Sequence, residues 1–145
     1  LVYLAAFAPD EGESVADLMA LREAPSGSAS IRRDADGLLW LAGEGFHENL
    51  CPDLDATEAL VMAVVQKPTA ARCFKGTSGP AAWKSKPSWY QVSTDDCMIP
   101  PETERWFAQR MHARKMLTLQ SSHFSIASHA AEVVALIEEA AAAVR

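Results

Sequence analysis

The 145-residue sequence predicts an α/β fold on a parallel sheet, interrupted by an α-rich insertion that contains a small hairpin. Three observations carry this. The chain opens on "LVYLAAFAP", eight apolar residues ended by Pro9, the continuity expected of a strand buried on both faces of a parallel sheet. From Lys86 onward, β-prone and helical stretches alternate as strand, helix, strand, helix, which predicts a βαβ crossover between parallel strands. Between these two regions, residues 10 to 85 have the texture of short helices rather than of further core strands.

Taken in order, residues 1 to 9 form a core strand. "DEGESVADLMALR" predicts a short helix with Ser14 as its N-cap, broken by "APSGSAS". "SIRRDADGLLWL" places two short strands around Asp36-Gly37, a hairpin-turn dipeptide. Helices follow at about Glu44 to Leu50, at Ala56 to Gln66, where Leu60, Val64 and Val65 share a face, and near Thr69 to Phe74. Residues 86 to 145 then supply the βαβα part of the core. "PSWYQVS" is a strand, "PPETERWFAQRMH" a helix burying Trp106, Phe107 and Met111, "KMLTLQS" a strand, and "HAAEVVALIEEAAAAV" a long amphipathic helix. No internal repeat is present.

The chain is 49% hydrophobic and 22% charged, which excludes a disordered segment and marks a globular domain. Its net charge of −6 and the scatter of its 13 basic residues argue against nucleic acid or an anionic membrane surface as partners. The apolar run at the N-terminus is too short to span a bilayer. Cys51, Cys73 and Cys97 form neither a CxxC pair nor an even disulfide set, so a reducing, cytoplasmic setting is the expectation. A first strand that needs neighbours on both sides leads to two further expectations: that the chain begins inside a larger domain, and that its open edge favours self-association into homo-oligomers.

Candidate chemistry lies at the strand ends. In a parallel α/β sheet, ligands bind where loops leave the carboxyl ends of the strands. "STDDCMIPP" leaves the first C-terminal strand with Asp95 and Asp96, and "SSHFS" leaves the second with His123. Both loops should face one crevice, where a carboxylate can hold an imidazole in one tautomer and stabilise its cation. Asp95 is then the expected cap of the helix that starts near Pro101 and Asp96 the expected partner of His123, although spacing alone barely separates the two.

Asp96 followed by Ile99-Pro100-Pro101, then a helix, a strand, and His123 with Ser128 and Glu132 beyond it, resembles the C-terminal portion of an α/β-hydrolase. "LVYLAAFAPDEGES" resembles the strand after the nucleophile-bearing helix in the branch that holds esterases, plant-type methylesterases and hydroxynitrile lyases. The resemblance covers essentially the whole chain. It implies the C-terminal half of an α/β-hydrolase parallel sheet, with residues 10 to 85 in the place of the cap, Asp96 as triad acid and His123 as triad base. Ala130 departs from it, since relatives often open the last helix with Pro. No cofactor and no metal are implied.

The family's nucleophile sits on a G-x-S-x-G elbow, and this sequence has none. "KGTSGP" around Ser78 reads as a loop, so the elbow and oxyanion donors are expected upstream of Leu1, in the N-terminal half of the same fold, on the same gene product or another chain. The implied function is hydrolysis of small hydrophobic esters by a Ser-His-Asp triad. Trp40, Phe46, Phe74 and Trp83 supply aromatic surface to a substrate pocket or to the insertion's own core, and Phe124 follows the base directly. Rival chemistries are weaker. Cys97 as a thiolate nucleophile should point away from its neighbour Asp96, and His123 with His129 matches no metal-ligand spacing. Hydroxynitrile lyases typically carry Lys after the catalytic His, where Phe124 stands here. A non-catalytic binding or assembly fragment of the fold is the alternative of a different class.

Overall fold

A computed structural model of the chain describes residues 1 to 144. Its main sheet has three parallel strands in the order β1 (Val2–Leu4), β5 (Trp89–Ser93), β6 (Lys115–Leu119). The 84 positions between β1 and β5 hold α1 (Val15–Ala20), the strands β2 (Ile31–Arg33) and β3 (Leu38–Leu41), and the helices α2 (Gly43–Leu50) and α3 (Ala56–Val65). The short elements β4 (Thr69–Ala70) and α4 (Arg72–Lys75) close that stretch. α5 (Pro101–Arg110) crosses over from β5 to β6, and α6 (Ser125–Ser128) and α7 (Ala130–Ala142) follow.

β5 is the organising strand, and all five of its residues are buried. Its side chains alternate between two helical layers, as a pleat requires. Tyr90 and Val92 join Phe107 and Ala108 of α5 and Met111 just beyond it, together with Ala8, Leu18 and Trp83. Trp89 turns the other way, onto Leu136 and Ala140 of α7. The first strand is shorter than the apolar run predicts. Ala5 adopts φ 41°, a left-handed conformation that ends the pleat after Leu4, and β1 is half-buried because among the described residues β5 alone borders it.

Local signals in the insertion behave as their chemistry dictates. Ser14 accepts the Asp17 N–H at 3.1 Å while the Asp17 carboxylate accepts the Ser14 N–H at 3.0 Å, a reciprocal capping box that starts α1. Gly37 takes φ 78° in the β2–β3 turn, which favours a residue without Cβ. Two expectations, on Thr69 to Phe74 and on Trp106, are corrected. The stretch near Thr69 to Phe74 is not one helix: Thr69 and Ala70 pair antiparallel with Leu39 and Leu38, and helix resumes only at Arg72. The shared face of Leu60, Val64 and Val65 is exposed, because α3 turns Ala59, Met62 and Ala63 toward Phe46 and Cys51 instead. Trp106 is half-buried, with the guanidinium of Arg110 5.0 Å above its ring and that of Arg22 at 5.5 Å.

Among the described residues, no helix is long and apolar enough to cross a membrane.

Candidate active site

The ladder between β5 and β6 continues past the strands, and this continuation builds the site. Thr94 N–H donates to Leu119 O at 2.9 Å and Asp95 N–H to Ser121 O at 3.0 Å, so the two loops leave the sheet side by side. Beneath them a buried polar network joins the elements. Gln91 donates to Ser93 Oγ at 2.9 Å, Ser121 Oγ donates to the same atom at 3.0 Å, and Ser125 Oγ donates to Gln91 Oε1 at 2.7 Å. A buried network with its members paired fixes side-chain directions more tightly than apolar contact does.

On this platform the structure brings Asp96 and His123 together. The ring Nδ1–H of His123 donates to Asp96 Oδ2 at 2.6 Å, the ionised carboxylate being able only to accept. The other oxygen, Oδ1, accepts the backbone N–H groups of Met98 at 2.6 Å and Ile99 at 2.8 Å. Asp96 therefore shapes its own loop and holds the imidazole at once. Burial on its own would raise the Asp96 pKa, but the hydrogen bond and charge of His123, with help from Glu104 and the Ile99 N–H, outweigh burial and hold the carboxyl below its ordinary value. The expectation that Asp95 caps the following helix is corrected: α5 starts at Pro100-Pro101 with no side-chain cap, and Pro101, whose ring fixes a helical φ, leaves no N–H of its own to satisfy in the first turn.

Packing around the loop that carries Asp96 leaves no slack. A Cβ on Gly27 would lie 2.6 Å from the sulfur of Met98 and 2.7 Å from Cys97 O, so only glycine allows the Pro25–Ser30 turn to approach. The loop that carries His123 is clamped from the insertion. Asp53 accepts the Ser122 N–H at 2.9 Å and the Ser122 hydroxyl at 2.5 Å. Burial works against the Asp53 charge, and these hydrogen bonds win, leaving its pKa lowered.

His123 stands at the junction of two apolar cavities of about 450 Å³ each. One is walled by Leu39, Trp40, Phe46, Met62, Phe74 and Phe124, so the aromatic residues that the sequence offered for a pocket do gather there, with one exception. The other cavity runs under Ala5, Ala6 and Phe7 to Val15, Met19 and Ile99, and Phe74 borders both. The exception is Trp83, which is corrected: it packs in the core with Leu18, Tyr90 and Phe107, its indole N–H donates to Pro9 O at 3.0 Å, and it borders neither cavity. Leu18 and Trp83 thus weld both ends of the 10 to 85 insertion into the core.

The other candidates do not converge on His123. Ser78 is tied through its backbone to Gly12 and Glu13 and lines neither cavity. Cys97 points its sulfur toward Asp95 O at 3.9 Å. Among the described residues no three His, Cys, Asp or Glu side chains cluster as metal ligands, and no hydroxyl or thiol hydrogen-bonds the Nε2 of His123.

Two contributors escaped the sequence reading. Asp53 lies in a polar turn with nothing to mark its target 69 positions away. Glu104 did carry a signal. It falls on the same helical face as Phe107, Ala108 and Met111, so an acid stands in the apolar stripe of α5, and the structure buries it completely. Its Oε2 accepts the Ser93 N–H at 2.8 Å. Burial, reinforced by the hydrogen bond and charge of Asp96, pushes its pKa up to about 10 against the opposing Ser93 N–H and Arg105.

The arrangement matches known architecture. Polyneuridine aldehyde esterase superposes with a TM-score of 0.74 at 15% identity, over 94% of this chain and 60% of its own. A methylesterase from Arabidopsis gives 0.71 at 16% identity, over 97% and 58%. A pyrethroid hydrolase from Sphingobium faniae JZ-2 gives 0.67 at 18% identity, over 93% and 58%. The chain thus spans about 60% of the length of the solved structures it resembles. No curated protein matches its sequence. The sheet, its flanking helices and the match of the alpha/beta hydrolase family model to residues 1–136 lead to one conclusion: this chain belongs to the alpha/beta hydrolase family.

Proposed function

We propose that this chain supplies the acid and the base of a serine-type carboxylesterase. The observation that carries the proposal is the 2.6 Å bond from His123 Nδ1–H to Asp96, set where two apolar cavities meet. With Nδ1 committed to Asp96, the free lone pair sits on Nε2. His123 would take a serine proton there as the hydroxyl attacks an ester carbonyl, and return it to the leaving alkoxide. Asp96 would stabilise the imidazolium between those events. The serine and the oxyanion donors are assigned to a segment preceding Leu1, in the N-terminal half of the same fold, with residues 10 to 85 acting as the cap. The lengths of the matched structures support this, since each extends well beyond the part this chain covers.

The cavity walls favour small hydrophobic esters, a class compatible with the esterases and pyrethroid hydrolases among the structural neighbours. Phe124 packs against the Phe46 and Cys51 cluster at the position after the base where hydroxynitrile lyases typically carry Lys, so hydrolysis is favoured over hydroxynitrile cleavage. The test is hydrolysis of p-nitrophenyl acetate and longer p-nitrophenyl esters by the full gene product. Turnover above the buffer rate that disappears in His123→Ala is the expected result. Unchanged turnover in that variant would exclude His123 as the base.

A further inference from the structure

Glu104 presents an unusual contact. It is fully buried, its Oε2 accepts the Ser93 N–H, and its Oε1, equally buried, meets no donor. What faces the carboxyl instead is another acceptor, the carboxyl of Asp96. Two carboxylates in contact away from water cannot both stay ionised, so one of them must hold a proton. Asp96 is the wrong holder: three donors, the N–H groups of Met98 and Ile99 and the ring Nδ1–H of His123, already point at its two oxygens and favour its charged form. Glu104 receives a single N–H and keeps one oxygen free.

We propose that Glu104 is a positioning residue, a neutral carboxylic acid whose Oε1–H donates to Asp96 from behind while His123 donates from the front. The importance of this for turnover rests on the reading of Asp96 and His123 as acid and base. A donor at the back of Asp96 fixes the carboxylate's rotamer and draws off part of its charge, so the imidazole meets an acceptor of fixed direction and moderated strength. Charged and titratable groups that face this pair are Tyr90 on β5, Arg105 on α5, and His123. All are retained in the variants below, so differences report Glu104 alone.

Glu104→Gln keeps a carbonyl for Ser93 and an N–H for Asp96 and never ionises; Glu104→Leu removes both. In the wild type the native state holds a proton that an unfolded glutamate has lost above its ordinary value. The corresponding stability is therefore complete below about pH 4.3 and is lost as pH rises toward the elevated native value. The ratio of the folding constants of Glu104→Gln and wild type, from denaturant melts of the full gene product, should climb about tenfold per pH unit between roughly pH 5 and pH 9. A ratio constant within threefold across that window overturns the proposal.

Positioning has its own readout. The proton NMR resonance of the hydrogen-bonded His123 Nδ1–H should be preserved in Glu104→Gln and shifted or lost to exchange in Glu104→Leu; no difference between the two variants overturns the positioning role. Ester turnover should stay within about threefold in Gln and fall about tenfold to a hundredfold in Leu, as misplacing a reacting group by about 1 Å does. If Glu104→Leu fails to fold, the pH dependence of Glu104→Gln still decides the proton. Should the melts behave as expected while the wild type hydrolyses no ester, the Glu104 proton stands and the hydrolase reading fails.

Discussion

Every residue of β5 is buried, whereas α3 buries Ala59 alone and presents Leu60, Val61, Val64 and Val65 to solvent. The contrast divides the labour of the site. Asp96 follows β5, which is packed on both faces, and His123 follows β6, buried only at Leu119; a buried hydrogen-bond network ties the two ends together, and such surroundings resist displacement because packed interiors have few alternative arrangements. The far wall of the cavities, from Trp40 to Phe74, belongs to an insertion whose own core is small, so it can yield to ligands of different shape. Stability is expected to be distributed in the same way, with amide hydrogen exchange slowest in β5 and fast in α3.

The largest expected effect tests the rigid half. Asp96→Asn keeps an oxygen for the Met98 and Ile99 N–H groups but turns an amide toward the ring, so the imidazole adopts the tautomer that places its proton on Nε2. kcat for ester hydrolysis in the full gene product should fall about 10⁴-fold with the fold intact. Asp95→Asn should leave kcat nearly unchanged, and equal losses in the two would mean that their roles are wrongly divided. Next comes packing. Phe107→Ala empties the centre of the β5–α5 interface and should cost about 3–5 kcal/mol in a denaturant melt. A cost near that of an insertion substitution would erase the contrast between the halves.

Smaller effects probe the seam and then the outer face. Asp53→Ala removes the acceptor for two Ser122 donors and should destabilise by about 1 kcal/mol, with a rise in KM larger than its fall in kcat if the clamp serves the loop that carries Phe124. pH sharpens this: the lowered Asp53 and Asp96 carboxyls contribute stability that is present above the ordinary aspartate value and disappears as pH falls through their native values. Acid unfolding should accordingly be less steep in Asp53→Asn. Val64→Ser on the exposed face of α3 should change stability by no more than about 0.5 kcal/mol. A loss of several times that amount in the full gene product would reveal that another part of the protein covers this face.

The sequence by itself determined whatever depends on neighbours a few residues apart. Period-two and period-3.6 patterns placed β5, α5, β6 and α7, Ser14 marked the start of α1, and Asp36-Gly37 marked the hairpin. Because the helix between two parallel strands returns the chain to the same edge, the common location of Asp96 and His123 was legible as well. Tertiary structure alone decided the rest. Thr69–Ala70 became a strand because β3 offered an edge; Trp83 went to the core because Leu18 and Phe107 left room there; and α3 turned Ala59, Met62 and Ala63 inward because the Phe46 and Cys51 cluster lies on that side. The same holds for the site's supports. Whether Glu104 keeps its proton and what Asp53 holds depend on which groups from distant positions close around them, and burial and electrostatics in a folded chain act through distances that sequence order does not encode.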